Sequence, residues 1–300
     1  MTLDTLHTSA MLFLSIVFES APFILLGALF SSLVLVFIPA DFFRRKLPRN
    51  PVLSLPPALA LSAVFPVCEC AIIPVVRGLV RKGMPISAGT VFLVAAPILN
   101  PVVLASTFYA FRFNLDVVVL RFVLAAAAAL IVGFIVYLAL ESGGRRPFAR
   151  DLPMAGETHS RPSFFSPGTW KRVLDHSIDE FFTIGKYFIL GAGVASLFQT
   201  YMSQQAVMAF TESAFIAPMV MMLLGYVLSL CSTADAFVAA SFAGTFTPMS
   251  IVAFLVFGPM LDIKNTAMLL GYFPLRFVIL FIAAAAATVY TLVVTMQFLL

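Results

Sequence analysis

From Ser9 to Ala40 the chain carries one charged residue, Glu19, and no other feature restricts its folding so strongly. A helix needs about 20 apolar residues to cross roughly 30 Å of hydrocarbon, so this run reads as a spanning helix. A cleaved leader would begin with basic residues, whereas Met1 to Thr8 holds neither Lys nor Arg. Further apolar runs follow along all 300 residues. Hydrophobic side chains make up 61% of the chain, charged ones 11%, and the mean hydropathy is +1.05. These values belong to a polytopic membrane protein in the lipid bilayer. The 18 Lys and Arg exceed the 14 acids, but they gather in the segments between apolar runs. That distribution is a topology signal rather than a nucleic-acid surface.

Cys68, Cys70 and Cys231 all lie in apolar context, which excludes a secreted disulfide framework. His7, His159 and His176 sit at the start of the chain or around its polar centre, so no histidine pair is available to hold a haem within the membrane. No other cofactor is expected.

The Gly-, Pro-, Ser- and Arg-rich segment at residues 141–175 divides the chain into two apolar halves, 1–140 and 176–300. The halves resemble each other. Phe23-Ile-Leu-Leu-Gly-Ala28 matches Phe188-Ile-Leu-Gly-Ala192, Met84-Pro-Ile-Ser87 matches Thr247-Pro-Met-Ser250, and Arg121-Phe-Val-Leu124 matches Arg276-Phe-Val-Ile279, each Arg segment running into alanines. The matches keep one order in both halves, as an internal repeat does.

In the first half, Ser9 to Ala40, Pro85 to Phe111 and Asp116 to Leu140 are each long enough to cross. Val52 to Pro66 and Ala71 to Val80 are not, and Cys68-Glu69-Cys70 lies between them. Two short apolar legs around a polar break predict a re-entrant hairpin. Arg44, Arg45, Lys46 and Arg49 precede it, Arg81 and Lys82 follow it, and the polar centre is basic, so all three clusters are expected in the cytoplasm. Arg112 and Arg121 depart mildly from this rule. Three crossings are an odd number, so the second half starts from the opposite side. Its hairpin is expected at Ser213 to Gly244, with flanks free of Lys and Arg. The predicted fold is an all-α polytopic membrane protein of two inverted repeats, each with three full transmembrane helices and one re-entrant helical hairpin. Both termini then lie outside the cytoplasm. Inverted repeats with broken helices are an architecture of secondary transporters.

Chemistry is expected at the breaks. Cys68 and Cys70 diverge on a regular helix but can converge at a turn, where a following helix start favours thiolates and soft ligands, metal ions included. Packing of small residues is the plainer account of either cysteine alone. Glu69 between them shifts the balance toward function, because an intramembrane carboxylate is costly. The second half offers Cys231-Ser-Thr-Ala-Asp235, in which Asp235 is the only charge between Ser213 and Met260. Ser232 and Thr233 there either contact substrate or satisfy broken backbone bonds. Pro66, Pro97, Pro101 and Pro259 are expected helix breaks. Asn100 and Asp262 occupy equivalent places after Pro97 and Pro259 and are candidates for site lining, although Asp262 and Lys264 also read as a solvated pair at the membrane edge. Glu69, Asp235, Asp262 and Glu19 are the proton-coupling candidates. Asp175, Asp179 and Glu180 read as the wet start of a helix.

Phe65-Pro-Val-Cys-Glu-Cys70 with Pro74, Arg81-Lys-Gly83, Ala96-Pro-Ile-Leu-Asn-Pro101 and Cys231-Ser-Thr-Ala-Asp235 together resemble the predicted permeases that include the ArsP organoarsenical efflux permeases and the YraQ-like proteins. The resemblance spans most of both halves. It implies a bacterial inner-membrane permease that exports its substrate. Members commonly show a serine between the two cysteines, where this chain carries Glu69.

The reading is therefore a permease, not an enzyme, with a midplane site for a small thiophilic or anionic substrate such as a trivalent organoarsenical or a soft metal. No P-loop is present, so energy is expected from a proton gradient. Self-association into a homo-oligomer is left open. The alternative is an intramembrane thiol–disulfide protein relaying electrons through Cys68, Cys70 and Cys231, a chemistry that more often uses C-x-x-C spacing.

Overall fold

Proline and small polar residues decide where the helices of this chain stop. The computed structural model describes residues 3–37, 51–64, 68–112, 115–142, 167–201 and 215–299, and every described element is helical. In order they are α1 (Leu3–Phe37), a short 3-10 turn leading into α2 (Leu55–Val64), α3 (Glu69–Arg81), α4 (Ile86–Ala95), α5 (Pro101–Ala110), α6 (Leu115–Val136), α7 (Pro167–Tyr201), α8 (Ile216–Leu228), α9 (Asp235–Ser241), α10 (Pro248–Met260), α11 (Ile263–Tyr272) and α12 (Leu275–Leu299). Pro66 and most of the expected cytoplasmic Arg and Lys clusters lie outside the described residues.

Among the described residues five stretches are long and apolar enough to cross a membrane: His7–Leu33, Leu115–Glu141, Thr169–Thr200, Pro248–Tyr272 and Leu275–Leu299. The expected single span from Pro85 to Phe111 is not among them. It stops at Ala95 and restarts at Pro101, leaving two helices each too short to cross. The restart has a local cause, since Asn100 accepts a hydrogen bond from the Val102 N–H at 2.9 Å and Pro101 occupies the first helical position, where its missing N–H costs nothing. Pro259 lies in the last turn of α10, and Asp262 caps α11 by accepting from the Asn265 N–H at 2.6 Å. Helix breaks thus appear after Pro97 and after Pro259, as expected.

A second correction concerns the polar centre. Helix α7 begins at Pro167, inside the expected linker 141–175, so Asp175, Asp179 and Glu180 are mid-helix residues rather than its wet start. The amphipathic pattern of this stretch, with Val173 and Ser177 buried, carries the helix through it.

Helix α6 gives the molecule two distinguishable ends. Near its C-terminal end, Gly133 meets Val91, Ser87 and Leu55, while the neighbouring Gly89 meets Val80 and Val76. Beyond α6, Glu141 accepts from the Ile86 N–H at 2.7 Å and from the Ser87 hydroxyl at 2.6 Å, fastening the first turn of α4. The first residue of α2 and the last turns of α3 therefore lie beside the same few residues of α4. At the opposite end of α6, Val117 packs with Ala110 and Phe111 onto a buried cluster that includes Ala217, Leu224, Ala236, Ala239, Phe246 and Ile251, drawn from α8, α9, the turn after α9 and the first part of α10.

Lipid tails are as apolar as the helices, so close packing of small residues holds these elements together. Gly27 of α1 abuts Ala71 of α3, where an added Cβ would lie 2.7 Å from the Ala71 Cα, and a Cβ added at Gly225 of α8 would lie 3.3 Å from the Gly258 Cα of α10. Helix α8 ends at Ser229, which takes the left-handed conformation that terminates helices, with φ 48°.

Candidate functional site

Glu69 and Asp235 do not align in sequence, but each is the first helical residue after a break, Glu69 opening α3 and Asp235 opening α9. A carboxylate is favoured there by the positive end of the helix dipole. Cys68, the residue before α3, has extended backbone with φ −76° and ψ 164°, and Cys70 falls in the first turn of the helix. Pro74 has no N–H to give the Cys70 carbonyl, so that oxygen is released from the helix ladder. The Pro74 carbonyl in turn accepts from the Ser31 hydroxyl of α1 at 3.1 Å.

Asp235 is held by a cation through one of its oxygens, while its Oδ1 has no hydrogen-bond partner among the described residues. Arg121, buried to 0% exposure, donates to the Asp235 Oδ2 at 2.8 Å, to the Thr107 hydroxyl at 2.7 Å and to the Ser232 carbonyl at 3.3 Å. One guanidinium thus joins α6 and α5 to the second-half break. The Ser232 carbonyl has a backbone-satisfying role, and the Thr233 hydroxyl lies 3.7 Å from the Cys231 sulfur.

Glu69 is surrounded differently. It is buried, its Oε2 has no hydrogen-bond partner among the described residues, and it lies in electrostatic contact with Lys264 and Asp262 and close to the Ser232 backbone. Lys264 and Asp262 form an ion pair at 3.5 Å, with the Lys264 and Asp262 side chains 4% and 0% exposed. The reading of these two as a solvated edge pair is therefore wrong. The break at Leu261 turns the start of α11 inward, against α3 and α7, with Gly191 of α7 seated on the Lys264 backbone. Asp262 also anchors a relay to α8: its carbonyl accepts from the Thr266 hydroxyl at 2.7 Å, which accepts from the Tyr226 hydroxyl at 3.1 Å.

A small cavity of about 10 Å³, enough for roughly one water, lies where α3 and α11 begin, lined by Glu69, Ile72, Ile73, Pro259, Asn265 and Leu269 among others. Cys70 and Cys231 both lie within electrostatic reach of Glu69, and Cys68 of Cys231. All three thiols are free. Among the described residues no group of three or more His, Cys, Asp and Glu is arranged to hold a metal ion. Glu19 is exposed on α1, within electrostatic reach of Cys231. Asn100 is a helix cap, its side chain accepting from the Val102 N–H.

Sequence reasoning missed Arg121, Thr107 and Tyr226 as partners of the acids and their breaks, and it weighed Lys264 only as a solvated partner of Asp262. Arg121 carried the one available signal: it breaks the charge rule in the middle of an apolar stretch. A cation in such a place is expected to have a buried partner.

The profile of the predicted permease family ArsP_1 matches residues 5–298. The chain belongs to this predicted permease family. It is 42% identical over 271 residues to the UPF0718 protein YcgR of Bacillus subtilis, covering 90% of both chains. It is 34% identical over 278 residues to a putative two-component membrane permease complex subunit of Streptococcus mutans, covering 92% of this chain and 90% of that one. No solved structure matches. Family and helices together make the protein a multi-pass membrane permease. The thiol redox alternative receives no support from them.

Proposed function

We propose that the protein is a proton-coupled secondary permease in which Glu69 carries the coupling proton and Cys68, Cys70 and Cys231 receive a small thiophilic substrate. The observation that carries this reading is the charge balance of the buried cluster. Three carboxyls, Glu69, Asp235 and Asp262, share two cations, Arg121 and Lys264, all buried. With Asp235 held by Arg121 and Asp262 by Lys264, Glu69 is the group left to be neutralised by a proton or by a cationic substrate. A thiol that binds a soft centre releases its proton, and Glu69 lies beside the sulfurs to accept it.

The contacts at the two ends of α6 support the inverted arrangement. The first-half break is entered and left beside Ser87 and Gly89, near the C-terminal end of α6, and the second-half break beside Val117 at its other end. On this reading residues 1–140 and 176–300 are the two repeats, and each hairpin brings its acid inward from its own side of the membrane. The charge pattern supports putting the Arg81 end in the cytoplasm of a bacterial inner membrane, and on this reading both termini lie outside; the family resemblance supports export as the direction. The description of the Streptococcus relative as a complex subunit supports looking for a companion subunit as well as self-association.

The test is flux in everted vesicles, with trivalent arsenicals, soft metal ions and oxyanions offered with and without a proton gradient. Gradient-driven accumulation of a thiophilic substrate is expected. It should be lost in Cys68→Ser/Cys70→Ser, and in Glu69→Gln it should persist only without proton coupling. Absence of transport for every thiophilic substrate, or indifference to the gradient, overturns the proposal.

A further inference from the structure

The candidate site lies at one end of a seam whose other end holds a second set of charges, on half-buried residues. Helices α3 and α11 start together at Glu69 and Asn265 and pack along one another. They end together as well, because the Arg77 guanidinium of α3 lies over the Tyr272 ring of α11, 4.4 Å from its centroid. The pair is therefore parallel. Eight residues separate Glu69 from Arg77, about 12 Å along a helix. The cavity beside Glu69 occupies the near part of this interval, lined by Ile72, Ile73 and Leu269. At the far end Glu180 of α7 faces Arg77, Tyr272 and Arg81. The Arg77 Nε and the Glu180 Oε1 are buried without hydrogen-bond partners among the described residues, and Tyr272 is 6% exposed.

Three elements thus contribute one group each to a plug across the α3–α11 seam, on the side of Arg81 and Lys82. A purely structural clamp would be better made from apolar residues, since buried charges with incomplete partners cost stability. A cation held by an aromatic face is a weak bond, about 0.5–2 kcal/mol, and can open without unfolding anything. We infer that Arg77, Tyr272 and Glu180 are the closed gate of an access route running along α3 and α11 to the cavity at Glu69. The inference rests on the reading of Glu69 as a working carboxylate, since a gate serves a route that leads to one. Movement of α11 away from α3 breaks the Arg77–Tyr272 stack first and connects the cavity to the surface.

The experiment reads accessibility, not flux. Ile73→Cys, placed in the full chain with Cys68, Cys70 and Cys231 replaced by serine, puts a single thiol between Glu69 and Arg77. A charged methanethiosulfonate is applied to vesicles from the Arg81 side. Labelling is expected to be slow with the gate intact, roughly tenfold faster in Arg77→Gln and Tyr272→Ala, the order set by a desolvated cation–π contact, and slow in Tyr272→Phe, which keeps the ring. From the opposite side all four rates should stay slow. Equal rates in every variant, or opening by Tyr272→Phe as by Tyr272→Ala, overturns the gate. If Tyr272→Ala fails to elute as a folded species in detergent, Arg77→Gln decides alone. Flux that keeps its proton dependence in Glu69→Gln removes the coupling proposal but leaves the labelling pattern untouched, so the two failures are distinct.

Discussion

Glu69 and Asp235 each open a helix after a break, and each keeps one buried oxygen without a partner, yet only Asp235 has a cation of its own. Asp235 is held at 2.8 Å by an arginine that also binds Thr107 and the Ser232 carbonyl. Glu69 lies beside a cavity and shares Lys264 with Asp262, to which Lys264 is ion-paired. The two cations come from opposite halves: Arg121 of the first serves the second-half break, and Lys264 of the second serves the first-half break. Equivalent placement therefore does not mean equivalent use. A carboxylate held by its own buried guanidinium is fixed in geometry, whereas a carboxyl that shares its nearest cation with another acid is free to change its proton or partner.

The largest effect on stability is expected from Arg121→Leu, which leaves Asp235 buried without its cation at a cost of about 3–5 kcal/mol. Thermal unfolding in detergent measures it, and the double change Arg121→Leu/Asp235→Leu should recover most of the loss. A loss as large from Lys264→Leu would show that the two pairs are used alike and would break the comparison. Gly27→Ala comes next: its methyl group meets the Ala71 backbone beside the Glu69 turn, a clash expected to cost about 1–3 kcal/mol. A full-strength melting transition in that variant would mean α1 can shift off α3. Asn100→Ala removes a cap and should cost about 1 kcal/mol. Substrate binding in that variant should remain intact, and a selective loss of binding would bring Asn100 into the site. The smallest effect on stability, under about 1 kcal/mol, is expected from Glu69→Gln, since no described partner depends on the lost charge alone. Asp235→Asn should be clearly worse than Glu69→Gln in the same melting assay, and equality would remove the distinction between the two acids.

Much of this was legible along the chain. Apolar runs and prolines carried the spans and breaks, because membrane thickness and the missing proline N–H act locally. Both acids at the turns were visible as lone charges in apolar surroundings. The continuity of Pro85 to Phe111 was misjudged because hydropathy does not register a cap: Asn100 and Pro101 restart a helix without adding charge. The same blindness made residues 167–175 look like linker, since polar residues on one face of a long helix resemble loop composition.

Sequence by itself determined that this chain is a multi-span helical membrane protein with paired, proline-marked interruptions and acids at two of them. Only the tertiary structure decided which acid is neutralised. Arg121 and Asp235 are more than a hundred residues apart, and Lys264 reads as an interfacial residue until the turn at Leu261 carries it into the interior. Charge pairing at that distance depends on which helices become neighbours, and in a chain held by small-residue packing, contacts such as Gly191 against Lys264 and Gly27 against Ala71 set those neighbours.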